Sequence, residues 1–192
     1  MARLVYLARH GETEWNRAGR WQGKTDIPLS DVGRAQAHGL KERLGALGIT
    51  SVHASDLGRA RETAEIVAAT LGLLPVIEDA RLRERGFGCF EGLTRAECEH
   101  HHPEAWASYL ADRRSTPPDA EPQAEVVARM VAALTDIAAG VPDGGAALAV
   151  SHGGAIRSFV HAVTGQTPPP LDNGALFVAR FDDGAFVSVE PG

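Results

Sequence analysis

The chain of 192 residues has little cysteine and no long hydrophobic run. Its two cysteines, Cys89 and Cys98, form neither a CxxC pair nor a metal-ligand array, so we expect packed thiols and no disulfide. No apolar stretch approaches the roughly 20 residues that span a bilayer, and the apolar part of MARLVYLARHGE is too short for a secretory signal. These absences predict a cytoplasmic protein without membrane contact.

Basic runs are also missing, and acidic residues outnumber basic ones. The formal net charge of −6 excludes broad nucleic-acid binding, because that binding requires a basic face. A small anionic ligand stays compatible with this charge, since a few arginines dominate the field within a Debye length. Apolar residues make up 44% and charged residues 23%, which is typical of a globular protein. The length predicts one domain over residues 1–192, and both a monomer and a homodimer stay open.

Short apolar runs alternate with segments of helical periodicity. Strands are predicted at 3–8, 51–55, 74–79 and 146–150, and a hairpin at 175–181 and 185–190. Helices are predicted at 31–47, after Asp56, at 123–139 and at 155–163. The core-facing stripe of the 123–139 helix is expected to be Val127, Met130, Leu134, Ile137 and Ala138. The alternation predicts an α/β fold, a three-layer sandwich with a mainly parallel central sheet, helices on both faces and an antiparallel edge hairpin.

Two histidines follow predicted strands in the same way. His10 comes after the first strand and His152 after the strand at 146–150, and a glycine follows each of them. The carboxyl ends of parallel strands share one rim, which is where ligands bind in open α/β sheets. Arg9 precedes His10, and Arg59 lies near the start of a predicted helix, so donor-only groups accompany the two imidazoles. This pattern predicts an oxyanion site, with phosphate as the natural ligand.

Five longer strings occur in order along nearly the whole chain. They are RHGETEWN at 9–16, WQGKTDIPLSDVGRAQA at 21–37, ASDLGRARETA at 54–64, LRERGFGCFEGLT at 82–94 and VSHGGAIR at 150–157. Together they resemble the histidine phosphatase superfamily, and within it the short phosphoglycerate-mutase-like, cofactor-independent phosphatases. In such a protein a small cap is expected from about residue 85 to 122.

The resemblance implies a role for each matching residue. His10 would be the nucleophile that forms a phosphohistidine, and Glu84 would be the general acid that later acts as the base. The residues implied to surround the phosphoryl group are Arg9, Arg59 and His152, with the last of these protonated. The implied substrate contacts are Asn16, Gln22, Gly23 and Gly153.

The implied activity is metal-independent hydrolysis of a small phosphorylated metabolite, without a cofactor. An imidazole attacks only through an unprotonated nitrogen, so the other ring nitrogen of His10 should donate a hydrogen bond, and a backbone carbonyl is the expected acceptor. Two arginines and a protonated histidine would stabilise the negative charge of the transferring phosphoryl group.

Two other functions stay open at this point. One is a cofactor-dependent phosphoglycerate mutase, although the short region from 95 to 122, with Arg113 and Arg114 as its basic residues, favours hydrolysis. The other is a phosphate-binding module without turnover. The run CEHHHPE at 98–104 suggests a metal site, but consecutive histidines do not converge on one point, so we expect a solvent-exposed helix end.

Overall fold

The computed structural model describes residues 1–192 and contains one six-stranded mixed sheet. Its strands are β1 (Arg3–Arg9), β2 (Ile49–Ala54), β3 (Ile77–Glu78), β4 (Ala146–Ser151), β5 (Leu176–Asp182) and β6 (Ala185–Pro191). They lie in the order β3-β2-β4-β1-β5-β6. The first four strands pair in parallel, and β5 pairs antiparallel with both β1 and β6. The predicted mainly parallel sheet with an antiparallel edge hairpin is therefore confirmed.

Helices cover both faces of this sheet, as predicted. They are α1 (Glu14–Arg17), α2 (Asp31–Leu44), α3 (Gly58–Leu71), α4 (Arg95–His101), α5 (Pro103–Ala111), α6 (Gln123–Gly140) and α7 (Gly153–Thr164). One apolar core joins α6 and α7 to the sheet, and a second core joins α2 and α3 to the opposite face. The central strand β4 is buried along its whole length because helices pack against both of its faces.

Two details of the helices and strands differ from the sequence prediction. On α6 the structure buries Val126, whereas Val127 is only half-buried. Val126 lies one turn before Met130, so periodicity alone placed only the first residue of the stripe one position too late, and the other four predicted residues are buried. The predicted strand at 74–79 is shorter in the structure, where β3 comprises only Ile77–Glu78. This edge strand pairs only with β2, and both of its residues are exposed.

A third and smaller apolar cluster stands apart from the two main cores. This cap cluster consists of Trp21, Phe87, Phe90, Cys98, Trp106 and Tyr109. It joins the loop after β1 to the helices α4 and α5. Both cysteines are unpaired thiols, and burial raises the pKa of Cys98 to about 11. The assignment of residues 85–122 as a functional cap stays a prediction.

None of the seven helices combines the length and the apolar character that crossing a bilayer requires.

Candidate active site

The two histidines meet at the carboxyl rim of the sheet. β1 and β4 are adjacent parallel strands in which Arg9 lies opposite Ser151, so His10 and His152 leave the sheet side by side. Their ring centroids are 5.0 Å apart in an edge contact, and both side chains are buried. The sheet register therefore brings together two residues that are 142 positions apart, as the strand pattern predicted.

Both ring nitrogens of His10 have a hydrogen-bond partner, and Nε2 is the one that accepts. Its Nδ1 donates to the carbonyl of Gly11 at 2.6 Å, which leaves the lone pair on Nε2, and Nε of Arg59 lies 3.3 Å from that atom. Burial lowers the pKa of His10 well below 6.5, and the charges of Arg59 and Arg9 lower it further. The imidazole is therefore neutral and has the tautomer that a nucleophilic Nε2 requires. The acceptor carbonyl, which the sequence could not identify, belongs to the following residue.

The two predicted arginines approach the histidines from different elements. Arg59, in the first turn of α3, is fully buried and donates to the carbonyls of Thr25 and Gly23 at 2.8 Å each. Arg9 donates through Nη1 to the carbonyl of Leu171, whereas its Nε is buried and has no partner. Burial is the main cause that lowers the pKa of both arginines, but a guanidinium keeps its charge in proteins.

His152 is fully buried, and neither of its ring nitrogens has a hydrogen-bond partner. Burial lowers its pKa well below 6.5, followed by the charges of Arg59, His10 and Arg9. Burial, and after it the neighbouring guanidinium charges, therefore favour a neutral His152 in the protein alone, and its protonation beside a phosphoryl group stays a prediction. Buried nitrogens without a partner are rare, and Nε of Arg9, which can only donate, indicates a ligand that accepts hydrogen bonds.

Glu84 is held at the same rim by hydrogen bonds from the backbone of α7. Its carboxylate accepts hydrogen bonds from the backbone N–H groups of Arg85, Ala155 and Gly154 at 2.8, 2.8 and 2.9 Å. The close approach depends on glycine, because a Cβ at position 154 would lie 2.6 Å from Oε1 of Glu84. The first turn of α7 therefore holds the candidate acid at the cavity that His10 also lines.

The remaining predicted residues lie around one cavity of about 670 Å³. Asn16 and Gln22 line it, and their side-chain oxygens accept hydrogen bonds from the loop after β1. Gly23 contributes the carbonyl that holds Arg59, and Gly153 packs beside the guanidinium of Arg9. Of the nine predicted site residues only His152 does not line the cavity, although its ring is in edge contact with that of His10.

The outer part of the cavity is strongly basic, which sequence reasoning noticed only at Arg113 and Arg114. The further arginines that line it are Arg20, Arg85, Arg95 and Arg157. Arg20 is paired with Glu97 and Arg114 with Asp112, whereas Arg113 stacks over the ring of Tyr109 at 4.9 Å. No local signal marks these arginines in the sequence, because most arginines on helices and loops have no ligand.

Sequence reasoning also missed Arg129, which holds the loop of the candidate acid from α6. It donates to the carbonyls of Arg81, Arg83 and Glu84 at 2.8, 2.6 and 3.0 Å. The same guanidinium pairs with the carboxylate of Glu121 at 2.8 Å. The side chains of Arg129 and Glu121 are both largely buried, so this ion pair fixes the backbone segment that carries Glu84.

Comparison with known proteins agrees with this geometry. A family model described as histidine phosphatase superfamily (branch 1) matches residues 5–191. A Proteus mirabilis protein named "Probable phosphoglycerate mutase GpmB" is 43% identical over 165 residues, which are 84% of this chain and 74% of that protein.

Two solved structures share the fold over nearly their whole length. YhfR from Bacillus stearothermophilus superposes with a TM-score of 0.85 at 34% identity, covering 96% of this chain and 94% of that one. A mycobacterial glucosyl-3-phosphoglycerate phosphatase, solved in complex with VO3, has a TM-score of 0.83 at 30% identity and covers 92% of each chain. The protein therefore belongs to the histidine phosphatase superfamily and is an enzyme with phosphatase or mutase-like activity.

Proposed function

We propose that this enzyme is a phosphomonoesterase that hydrolyses a small phosphorylated metabolite through a phosphohistidine on His10. One observation carries the proposal: Nε2 of His10 keeps its lone pair and accepts a hydrogen bond from Nε of Arg59 at 3.3 Å, in a buried site where Nε of Arg9 has no partner. A phosphoryl oxygen is the acceptor that these donors fit, and its phosphorus would then lie within reach of Nε2.

In the first step Nε2 attacks phosphorus, an N–P bond forms and the bond from phosphorus to the alcohol oxygen breaks. Glu84, as a carboxylic acid, gives its proton to the departing oxygen, which leaves as an alcohol. The hydrogen bond from Nδ1 to the carbonyl of Gly11 stabilises the positive charge that develops on the ring. Arg9 and Arg59 offset the charge on the equatorial oxygens.

In the second step the carboxylate of Glu84 takes a proton from water, and the hydroxide attacks phosphorus. The N–P bond breaks, its electron pair returns to Nε2, and inorganic phosphate leaves. A dianionic phosphoryl group offsets the two guanidinium charges, so His152 takes up a proton when the ligand binds. In this proposal guanidinium and imidazole groups supply all the positive charge, and the reaction proceeds without a metal ion or cofactor.

A phosphoglycerate mutase is the second candidate, favoured by two observations. Curated relatives of 39–43% identity carry that name, and the cavity places Arg95, Arg113 and Arg114 where they could hold a carboxylate. The hydrolase proposal instead draws support from the short segment 95–122 and from the phosphatase named above, which has the same extent as this chain. A mutase must return the phosphoryl group to the sugar acid before water reacts.

A panel of phosphate esters separates the candidates. The panel comprises 3-phosphoglycerate and its glycosyl derivatives, sugar phosphates, nucleotides and phosphoserine, scored for phosphate release and for isomerisation of 3-phosphoglycerate. Release that EDTA leaves intact and vanadate inhibits would support the hydrolase, whereas isomerisation faster than release would establish the mutase. Tight binding of an ester without either reaction would identify a binding module.

His10→Ala tests the nucleophile, and His38→Ala is the matched control because His38 is exposed on α2. We expect His10→Ala to lower kcat by at least about 10³-fold, whereas the control keeps the wild-type rate. Full phosphatase activity in His10→Ala would overturn the proposed mechanism, as would complete loss of turnover in EDTA.

Glu84→Gln tests the acid through the leaving group. Glutamine cannot donate a proton to an alkoxide, so kcat for an alkyl phosphate should fall by roughly 10²- to 10⁴-fold. p-Nitrophenyl phosphate should lose far less in the first step, because nitrophenolate leaves without a proton, and a burst of nitrophenol should precede slow hydrolysis of the phosphoenzyme. Equal losses in the first step for both esters would contradict the assignment of Glu84.

A further inference from the structure

The segment before β5 carries a polar contact to the active site that the reaction does not explain. Nδ2 of Asn173 donates to the carbonyl of His10 at 3.0 Å and to Oδ1 of Asn16 at 3.2 Å. We propose that Asn173 is a positioning residue that fixes which atom of the Asn16 amide faces the phosphoryl group. The inference rests on the proposed role of Asn16 as a phosphate ligand.

The orientation of the Asn16 amide follows from its partners. The backbone N–H of Thr13 donates to Oδ1 of Asn16 at 3.1 Å, and a backbone N–H can only donate. Nδ2 of Asn173 supplies a second donor to the same oxygen. Nδ2 of Asn16 makes no hydrogen bond within the chain, and the residue lines the cavity. Oδ1 of Asn16 therefore accepts its hydrogen bonds from the protein. The N–H groups on Nδ2 of Asn16 are left to donate to an anion.

The opposite orientation would work against binding. If Oδ1 faced the cavity, a partial negative charge would meet the phosphoryl oxygens, and Nδ2 would meet the N–H of Thr13. Asn173 adds a second interaction against that rotation. Because the same Nδ2 also holds the carbonyl of His10, one side chain ties the backbone of the nucleophile to a phosphate ligand six residues away.

Asn173→Asp reverses this contact with almost no change in shape. An ionised aspartate only accepts, so it places an oxygen against both Oδ1 of Asn16 and the carbonyl of His10. Hydrogen bonds to charged ligands are strong, so we expect inorganic phosphate to bind roughly tenfold to hundredfold more weakly, measured by titration calorimetry. Asn173→Ala removes the donor without adding charge; it should show the smaller part of the loss, and it carries the test if the aspartate variant does not fold.

A spectroscopic readout isolates the orientation of Asn16. Asn16 and Asn173 are the only asparagines of the chain, so [¹⁵N]asparagine labelling gives two side-chain amide signals. We expect saturating phosphate to shift the Asn16 signal in the wild type, and we expect that shift to be lost in Asn173→Asp, where a single side-chain amide remains. An equal shift in both proteins, or no shift in the wild type, would overturn the proposal.

A double-mutant cycle separates positioning from charge. In the Asn16→Ala background Asn173→Asp should cost phosphate affinity less than about threefold, because no amide is left to orient. A loss as large as in the wild-type background would overturn the proposal. Gln166→Glu makes the same amide-to-carboxylate change on an exposed side chain and should leave affinity unchanged. None of these measurements requires turnover, so a protein that binds phosphate but hydrolyses no ester would refute the proposed function and leave the role of Asn173 standing.

Discussion

Replacing Gly154 by alanine would place one methyl group against the carboxylate of Glu84. The added Cβ would lie 2.6 Å from Oε1, whereas ordinary contact begins at 3.4 Å, so this oxygen must move by about 0.8 Å. The movement stretches the hydrogen bonds that Oε1 accepts from the N–H groups of Ala155 and Arg85, each now 2.8 Å long. A misplacement of about 1 Å in a catalytic group costs roughly 10²-fold in rate. The fold itself should tolerate alanine, because position 154 lies in a helix.

Steady-state kinetics on two esters measure the effect. For glycerol 2-phosphate, whose alkoxide needs a proton, we expect kcat/KM of Gly154→Ala to fall by about 10²-fold. For p-nitrophenyl phosphate we expect a loss below about tenfold, because that leaving group departs as an anion. The selective loss is the signature of a displaced acid, since general damage to the site would slow both esters alike.

Gly39→Ala is the matched control for this variant. Gly39 is exposed within α2, and a Cβ there would meet no atom within 4 Å. Alanine should stabilise the helix by up to about 1 kcal/mol and leave both rates unchanged. If Gly154→Ala folds and hydrolyses glycerol 2-phosphate at the wild-type rate, the carboxylate held by α7 is not the proton donor and the reasoning fails.

Three further predictions concern pH, charge geometry and packing. Because the pKa values of His10 and His152 are held well below 6.5, the unfolded chain binds more protons than the native protein below that pH. The free energy of unfolding should therefore be highest above about pH 6.5 and fall as the pH drops towards the folded-state pKa values; urea titrations measure this, and His152→Gln should flatten the slope. Arg59→Lys keeps the positive charge but loses two of the N–H donors of the planar guanidinium group. We therefore expect kcat to fall about 10²-fold, and an unchanged kcat would contradict the anion site. Gly11→Ala should lower the free energy of unfolding by roughly 2–4 kcal/mol, because its Cβ would lie 2.3 Å from the carbonyl oxygen of Gly33; wild-type stability in urea would contradict that packing.

Local patterns in the sequence predicted much of this molecule. Period-two and period-3.6 patterns depend on residues close together in the chain, so the strand order, the four longest helices, the edge hairpin and the pairing of His10 with His152 were accessible. The α6 stripe was one residue late at Val127, because adjacent residues on a helix differ by only 100° and the true centre of the stripe depends on what packs against it.

Long-range contacts lay beyond such patterns. The lowered pKa of His152 was not accessible from the sequence, because it depends on complete burial beside two guanidinium groups from β1 and α3. Arg129 and Asn173 carry no motif, yet each reaches across the fold to hold residues of the candidate site. The arginines of the outer cavity are equally unmarked, since only the folding of α4, α5 and α7 around one space gives them a shared position.

The sequence by itself determined the fold class, the two strands that deliver His10 and His152, and the membership of a family that handles phosphate esters. These properties follow from residue types and spacings along the chain, where the physical causes are local. Only the tertiary structure decided the tautomer of His10, the complete burial of His152 and the three N–H groups that hold Glu84. Hydrogen bonds and desolvation depend on distances between segments that are far apart in sequence, so they exist only once the sheet has set its register.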